Sequence, residues 1–414
     1  MPLCDFLSLG RERIEVRVLA NFTLALRTLR AQNPLLEELL MNTHSISRRQ
    51  FARLLGVGAA AAIVRPRITI AAEESTAPAR NKPGVVRLSA NENPYGPAGK
   101  AHEAMKNAHP MCNRYPDEAN DVLIDKIAKI NNINRDQIAL GDGSSEILKL
   151  CAETFTGPTQ GKLVVADPTF EAILEYSKAC GADVVKVPLT SNYAHDLQKM
   201  GAASQKALIY ICNPNNPTAS ITPKNDLRQF IGEASPETMI LVDEAYFHYA
   251  DSPDYESVIP LVKDHPNLIV ARTFSKIYGM AGLRCGYGVA QPETIKKMHG
   301  FQMWDSVNIM ALSAASASLD DEAQVTNGRK MNGEAKSYTL SELDKMGYKS
   351  IPSQANFIMF DCQKPVVPII KAMKDKNVAV GRLFPAYPNH MRLTIGKHEE
   401  MQAFVSAFKQ VMAA

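Results

Sequence analysis

Ala207-Leu208-Ile209-Tyr210-Ile211-Cys212, Met239-Ile240-Leu241-Val242 and Leu268-Ile269-Val270-Ala271 are short aliphatic or β-branched runs, each closed by polar or turn residues. A run of this length without polar alternation reads as a strand buried on both faces. Residues 162–166 form a fourth run, and helical patterns lie between the runs. Strand and helix in alternation predict an α/β fold: a mostly parallel sheet covered on both faces, with ligands collecting beyond the carboxyl ends of its strands. The residues at those ends are Asn213-Pro214-Asn215-Asn216-Pro217-Thr218, Asp243-Glu244-Ala245-Tyr246 and Arg272-Thr273-Phe274-Ser275-Lys276. Three consecutive strands therefore deliver an amide, a carboxylate and an ammonium to one edge.

Working outward, further motifs stand in a fixed order: Asn91-Glu92-Asn93-Pro94-Tyr95-Gly96-Pro97, Arg114-Tyr115-Pro116, Gly141-Asp142-Gly143-Ser144-Ser145-Glu146, Ala281-Gly282-Leu283-Arg284-Cys285-Gly286 and Met391-Arg392-Leu393. Together with the strand-end motifs they resemble the class I/II aminotransferases, fold-type I enzymes that depend on pyridoxal 5'-phosphate (PLP). The resemblance is strongest to the histidinol-phosphate aminotransferase branch and runs from about Leu88 to the carboxyl terminus. It implies a large PLP-binding domain with a mostly parallel central sheet, a smaller α+β domain, and a homodimer.

Such an enzyme must hold PLP covalently, make its ring an electron sink, and move a proton at the substrate α-carbon. By resemblance Lys276 forms the Schiff base, and its amine then serves as the proton shuttle, a role suited to a lysine of lowered pKa. Asp243 pairs with the pyridinium nitrogen, because a neutral partner would not keep that proton in place. Asn216 and Tyr246 donate to the ring oxygen, and Phe170 stacks on the ring face. Gly143, Ser144 and Ser145 open an amphipathic stretch over 145–154, so their N–H groups and hydroxyls meet the phosphate at a helix N-terminus. Thr273, Ser275 and the forked donor Arg284 complete that cup. Tyr115 reaches the phosphate from the neighbouring subunit.

On the substrate side, Arg392 grips an α-carboxylate bidentately. Arg382, Asn356 and, from the neighbouring subunit, Tyr95 are the candidates for the rest of the substrate. The activity implied is amino-group transfer between an amino acid, or an amino-alcohol phosphate such as histidinol phosphate, and a 2-oxo acid. The same residues would serve a PLP-dependent amino-acid oxidase or decarboxylase, and a non-catalytic PLP-binding protein is the remaining alternative. One departure stands out: Ala219 follows Asn216-Pro217-Thr218 where the family usually has glycine. If the position demands a positive φ, alanine costs about 1 kcal/mol or shifts the turn.

The front of the chain reads as an address. Ser47-Arg48-Arg49-Gln50-Phe51 precedes a weakly apolar run over 54–64 and small residues at Ala71 and Ala72, the order of an export signal. Its paired arginines and Gly/Ala-rich run resemble a twin-arginine (Tat) signal, handed to the Tat translocase with the protein already folded. The run is about half the length a membrane-spanning helix needs, so no stable membrane span is expected. A periplasmic location follows, or a cytoplasmic one if the signal is unused. Residues 1–40 do not belong to such a signal, and Met41 is the expected start.

The expected organisation is therefore 1–40 as an upstream extension, 41–71 as signal, and 72–114 as an N-terminal segment with part of the small domain. The large PLP-binding domain spans 115–288, and an interdomain helix with the carboxyl-terminal small domain spans 289–414. The 414 residues hold 46 Lys+Arg against 43 Asp+Glu, a net charge of +3, with 45% hydrophobic and 21% charged residues. That composition is ordinary for a globular protein and excludes collagen and disorder. Cutting after Ala71 would remove ten basic and five acidic residues and turn +3 into −2, so the mild basicity belongs to the signal. No stripe of basic and aromatic residues supports nucleic-acid binding. The seven Cys and nine His make no CxxC pair and no HExxH, which disfavours metal catalysis. Ser144-Ser145 is not in a GxSxG elbow, which disfavours a serine hydrolase.

Overall fold

The computed structural model describes residues 84–203 and 206–413. The expected export signal and the expected start at Met41 lie outside the described residues. Eleven strands occur among those described: β1 Val86–Arg87, β2 Ile138–Gly141, β3 Lys162–Asp167, β4 Val184–Pro188, β5 Ala207–Cys212, β6 Met239–Asp243, β7 Leu268–Thr273, β8 Gly286–Val289, β9 Phe357–Asp361, β10 Val378–Ala379 and β11 His390–Thr394.

Seven of them form one sheet in the order β2-β8-β7-β6-β5-β3-β4. From β7 through β6, β5 and β3 to β4 every pairing is parallel, and β8 runs antiparallel to both β7 and β2. Every residue of β5 and β7 is buried, which is why these strands read as unbroken apolar runs. Alternate residues nonetheless serve two cores. Ile209, Ile211, Ile240, Val242, Leu268 and Val270 face one, packed with Leu123, Ile127 and Leu312. Leu208, Tyr210, Leu241 and Ile269 face the other, with Ile147, Leu148, Cys151 and Ile173. Strand periodicity of two is thus present in where the residues point, although hidden in their chemistry.

Three of the expected strands run further than their apolar stretch. The ladders continue through Asp167, Asp243 and Thr273, with Cys212 opposite Asp243 and Asp243 opposite Ala271. The chemistry-bearing side chains therefore begin on the last rung of the sheet, fixed by backbone hydrogen bonds, instead of on the loops beyond it.

A second lobe has its own core of Leu88, Phe360, Met391, Leu393, Phe404 and Phe408. It joins β1 to β10 in parallel and β9 to β11 in antiparallel, flanked by the helices Glu322–Lys345, Val366–Asp375 and His398–Ala413. This is the smaller α+β part, assembled from both ends of the described chain. Packing divides the lobes at other residues than the 115–288 expectation. Ala101 of helix Gly99–Ala108, Ile295 and Met298 of helix Pro292–His299, and Ala311 and Leu312 of helix Ile309–Leu319 are all buried in the cores of the large sheet. Small residues on Gly99–Ala108 and Ile309–Leu319 let those two helices pack closely on each other. Among the described residues no helix is long and apolar enough to cross a membrane, and no cluster of His, Cys, Asp and Glu could hold a metal ion.

Candidate functional site

The carboxyl ends of β5, β6 and β7 open into a cavity of about 360 Å³ between the sheet and the smaller lobe. Its lining includes Ser144, Ser145, Phe170, Asn216, Asp243, Tyr246, Thr273, Ser275, Lys276, Arg284, Arg382 and Arg392. Twelve of the sixteen side chains or glycines expected from the sequence therefore meet in one place. Gly143 adjoins them as the residue before helix Ser144–Phe155.

Asp243 is buried here and Lys276 half-buried, and desolvation shifts them toward each other. Desolvation lifts the Asp243 carboxyl from 3.8 to about 6, against the pull of a hydrogen bond from Tyr210. Desolvation, with Arg392 nearby, lowers the Lys276 ammonium from 10.5 to about 8, against the pull of Asp243. Asp243 keeps one oxygen on the Tyr210 phenol at 2.8 Å, and its other accepts from the Ala245 amide at 3.1 Å. Lys276 Nζ donates to the Asn91 carbonyl at 3.2 Å. Asn91 also gives its side-chain amide to the Tyr246 hydroxyl at 3.1 Å and receives Thr394 on its own Oδ1. It thereby ties the smaller lobe to the floor of the cavity, at φ +54, a conformation asparagine tolerates.

The phosphate end is built by close backbone approach. A Cβ on Gly286 would stand 2.3 Å from the Ser144 nitrogen, and one on Gly143, at φ +74, would stand 2.2 Å from Arg284 Nη2. Glycine at 286 lets the loop before helix Ser144–Phe155 lie against β8, and glycine at 143 makes room for the Arg284 guanidinium. The Glu146 carboxylate folds back onto the Asp142 amide at 2.5 Å and so braces that loop. No side chain caps this helix, so its first amides are available to an anion. Thr273 Oγ1, Ser275 Oγ and Arg284 converge there, with the two hydroxyls 2.9 Å apart.

Arg392, from β11, places Nη1 on the Asn216 side-chain oxygen at 2.8 Å and Nη2 on the Ser89 carbonyl at 2.6 Å. Asn216 is thus turned so that its amide nitrogen is the group left for a ligand. The Nε of Arg392 is buried without a partner, and desolvation lowers the guanidinium to about 10. A buried cationic donor left unsatisfied is the mark of a site shaped for an anion.

The remaining expected residues lie elsewhere. Asn356 is buried behind the cavity, giving its amide to the Asn91 and Glu92 carbonyls at 3.2 and 3.3 Å; this braces the Lys276 acceptor and leaves Asn356 off the lining. Tyr115 is 82% exposed and Tyr95 42% exposed, neither lining this chain's cavity. Three contributors went unmarked in the sequence: Tyr210 beneath Asp243, Phe384 against Arg382 and Arg392, and Glu171 at the lining beside Phe170. Glu171 could have been suspected from its place next to Asp167-Pro168-Thr169-Phe170. Ala219 adopts φ +59 with its side chain fully buried. The turn thus keeps the conformation that glycine ordinarily supplies.

The family described as Aminotransferase class I and II matches residues 83–408. A histidinol-phosphate aminotransferase of Moorella thermoacetica is 37% identical over 334 residues, covering 80% of this chain and 86% of that protein. The crystal structure of histidinol-phosphate aminotransferase from Sinorhizobium meliloti in complex with pyridoxal-5'-phosphate aligns with a TM-score of 0.74 at 26% identity, covering 80% of this chain and 91% of that one. L-threonine-O-3-phosphate decarboxylase from Porphyromonas gingivalis aligns with a TM-score of 0.71 at 21% identity over 80% of this chain and all of that one, a likeness of fold.

Proposed function

The chain belongs to the class I and II aminotransferases and is a PLP-dependent aminotransferase, and from that premise we propose that Lys276, Asp243 and Arg392 divide the work of amino-group transfer. The exchange runs between an amino acid, or an amino-alcohol phosphate such as histidinol phosphate, and a 2-oxo acid. The observation that carries this reading is the pairing of a lysine lowered to about 8 with a carboxyl raised to about 6 in one buried cavity. Perturbations in opposite directions, in a cleft, mark groups that hold and move protons near neutral pH.

The donor set fits the cofactor: an amine to bind it, a carboxylate for its ring nitrogen, and an uncapped helix start with hydroxyls and a guanidinium for its phosphate. When bound, the cofactor supplies an electron sink for the pair left on the substrate α-carbon. Asp243 would hold a proton on the ring nitrogen, which would give its buried charge a cationic neighbour. Tyr246 and Asn216 would donate to the ring oxygen, and Phe170 is the cavity aromatic that would pack on the ring. Ser144, Ser145, Thr273, Ser275 and Arg284 would anchor the phosphate. Lys276, as the neutral amine, would take up the substrate α-proton and give it back, the proton-moving role its lowered pKa suits. Arg392 would hold the substrate anion with the Nε that has no protein partner, not with the two-pronged grip expected from the sequence, because Nη1 is given to Asn216, which it keeps in position, and Nη2 to the Ser89 carbonyl.

The test is product analysis with and without oxygen. Equimolar 2-oxo acid and new amino acid, formed anaerobically, support the transferase. Ammonia with consumption of oxygen would mean an oxidase on this scaffold, and released carbon dioxide a decarboxylase.

Two further parts of the proposal concern the whole protein. Tyr115 and Tyr95 are exposed here, which is consistent with both reaching a second copy in a homodimer; light scattering would decide. Arg48-Arg49 is read as a Tat signal that sends the folded holoenzyme to the periplasm. Replacing both arginines by lysine should keep the activity in the cytoplasm, and an unchanged distribution would dismiss the export reading.

A further inference from the structure

The cavity has two guanidiniums near its substrate end, and they are in different electrical states. Arg392 and Arg382 both lie against the ring of Phe384, their guanidinium carbons 5.3 and 4.4 Å from its centroid. Arg392 has neutral neighbours, the Asn216 and Ser89 oxygens, and a buried Nε with no partner. Arg382 instead gives Nη2 to the carboxylate of Glu171 and Nη1 to the Leu383 carbonyl at 3.1 Å. Glu171 itself lines the cavity next to Phe170.

We propose that Glu171 is a specificity-determining residue: by neutralising Arg382 it leaves the substrate-anion site one net positive charge, suited to the single charge of a carboxylate and poorly suited to a phosphate monoester. This rests on the proposed reading in which Arg392 receives the substrate anion. A phosphate monoester carries a charge near −2 at neutral pH, its second pKa being about 6. To occupy the site it must either sit beside the Glu171 carboxylate or displace it from Arg382. A carboxylate needs neither, since Arg392 alone offers it a charged donor.

Glu171 does not owe its orientation to ordinary helix capping. It is the residue before helix Ala172–Ala179, yet its side chain makes no cap hydrogen bond and goes to Arg382, 211 residues away in sequence. The ion pair is about half exposed, 54% for Arg382 and 47% for Glu171, so it adds little to stability. Its effect is on what the cavity presents to a ligand. The charges reach each other across the site: after desolvation and Tyr246, Arg382 and Glu171 are the groups that act on the Arg392 guanidinium, in opposite directions.

The experiment compares two ligand pairs on the PLP-loaded enzyme, each pair sharing its side chain and differing in the anionic group on the α-carbon. L-Histidine and L-histidinol phosphate share the imidazole; L-alanine and 1-aminoethylphosphonate share the methyl. Dissociation constants come from the absorbance of the bound cofactor, and kcat and KM from those members that turn over. Wild type should favour the carboxylate in both pairs. Glu171→Gln, of the same shape, should move the ratio toward the phosphorus member by roughly fivefold, in binding and KM more than in kcat, and less at high salt. A wild-type preference for the phosphorus members, or a ratio unmoved by Glu171→Gln while the cofactor spectrum is intact, overturns the proposal. If Arg392→Lys binds all four ligands as wild type does, the anion site itself is misassigned and the reading beneath falls with it, a failure distinct from an unchanged ratio.

Discussion

The phenol of Tyr210 on β5 donates a hydrogen bond to the Asp243 carboxylate on β6, 2.8 Å between oxygens, and both groups are buried. The bond opposes the desolvation that lifts the Asp243 carboxyl to about 6, because a donor to the ionised form favours that form. Tyr210 therefore helps keep Asp243 charged, the state needed to hold a proton on a ring nitrogen. In Tyr210→Phe the carboxyl should rise further. The spectral pH profile of the bound cofactor should shift upward, and stability should fall by about 1–3 kcal/mol with one charged acceptor left short of a donor. A lowered melting temperature with an unmoved pH profile would make Tyr210 merely structural.

The pH dependence of the cofactor-free protein follows from Asp243. Its folded-state carboxyl is raised from 3.8 to about 6. A raised carboxyl binds its proton more tightly when folded, so the associated stability is complete below pH 3.8 and is lost as pH rises through about 6. A shift of that size corresponds to at most about 3 kcal/mol. Denaturant titrations of cofactor-free wild type and Asp243→Asn at pH 5 and pH 7.5 measure it. Wild type should lose stability across that interval relative to the asparagine variant, and equal pH dependences would refute the shift.

Lys276 offers a chemical readout. Burial, assisted by Arg392, lowers its ammonium to about 8, so at pH 8 about half of it is the free amine while ordinary lysines, near 10.4, are almost wholly protonated. An amine-acylating reagent applied to cofactor-free protein should label Lys276 ahead of the exposed lysines, with a midpoint near pH 8 read by peptide mass mapping. Arg392→Gln removes the largest cationic influence on it and should move that midpoint upward. In the holoenzyme the label should not enter, and Lys276→Ala should abolish turnover together with the cofactor's lysine-bound absorbance.

What could be seen in the sequence, and what could not, divides along physical lines. β5, β6 and β7 were legible because burial on both faces leaves unbroken apolar runs, and Asn216, Asp243 and Lys276 because they follow those runs directly. β8, Gly286–Val289, carries two glycines and reads like a turn; it is a strand because helix Ser144–Phe155 begins on top of it, with Ile147 Cγ2 2.9 Å from where a Cβ of Gly288 would lie. β1 and β10 have two residues each, too short for any period. Glu171 looks like an acid opening a helix and Phe384 like a core aromatic. Their roles arise only when the chain returns after 211 residues to set Arg382 beside them. Tyr210 was hidden inside a strand, where spacing does not tell which side meets Asp243.

The phosphate loop should be the most easily broken part of the site. A Cβ on Gly286 meets the Ser144 nitrogen at 2.3 Å, the Gly143 carbonyl carbon at 2.6 Å and the Arg272 oxygen at 2.8 Å, all backbone atoms that cannot swing aside. Gly286→Ala should therefore lift the loop from β8 and weaken PLP binding at least tenfold by equilibrium dialysis. Gly282→Ala, where an added Cβ finds nothing within 4 Å, should leave binding unchanged. Similar affinities for the two variants would mean that the loop does not anchor the cofactor.

Ala219 tests how the departure from glycine is accommodated. Its φ of +59 costs an L-residue about 1–2 kcal/mol, while its fully buried methyl group returns about 0.8 kcal/mol. The turn is held from both sides, by the Ala219 amide on the Asn215 carbonyl and by the Gln354 amide on the Ala219 carbonyl, each at 2.8 Å. It has little freedom to relax toward negative φ. Ala219→Gly removes the strain and the methyl together, so stability should change by less than about 1 kcal/mol, with Asn216 and cofactor affinity undisturbed. Ala219→Val keeps the strain, adds β-branching at a positive φ and overfills a buried position, and should cost about 3 kcal/mol or more in urea denaturation. If valine were tolerated as well as glycine, the turn would not be in the left-handed conformation at all, and the position of Asn216 beside Arg392 would need another explanation.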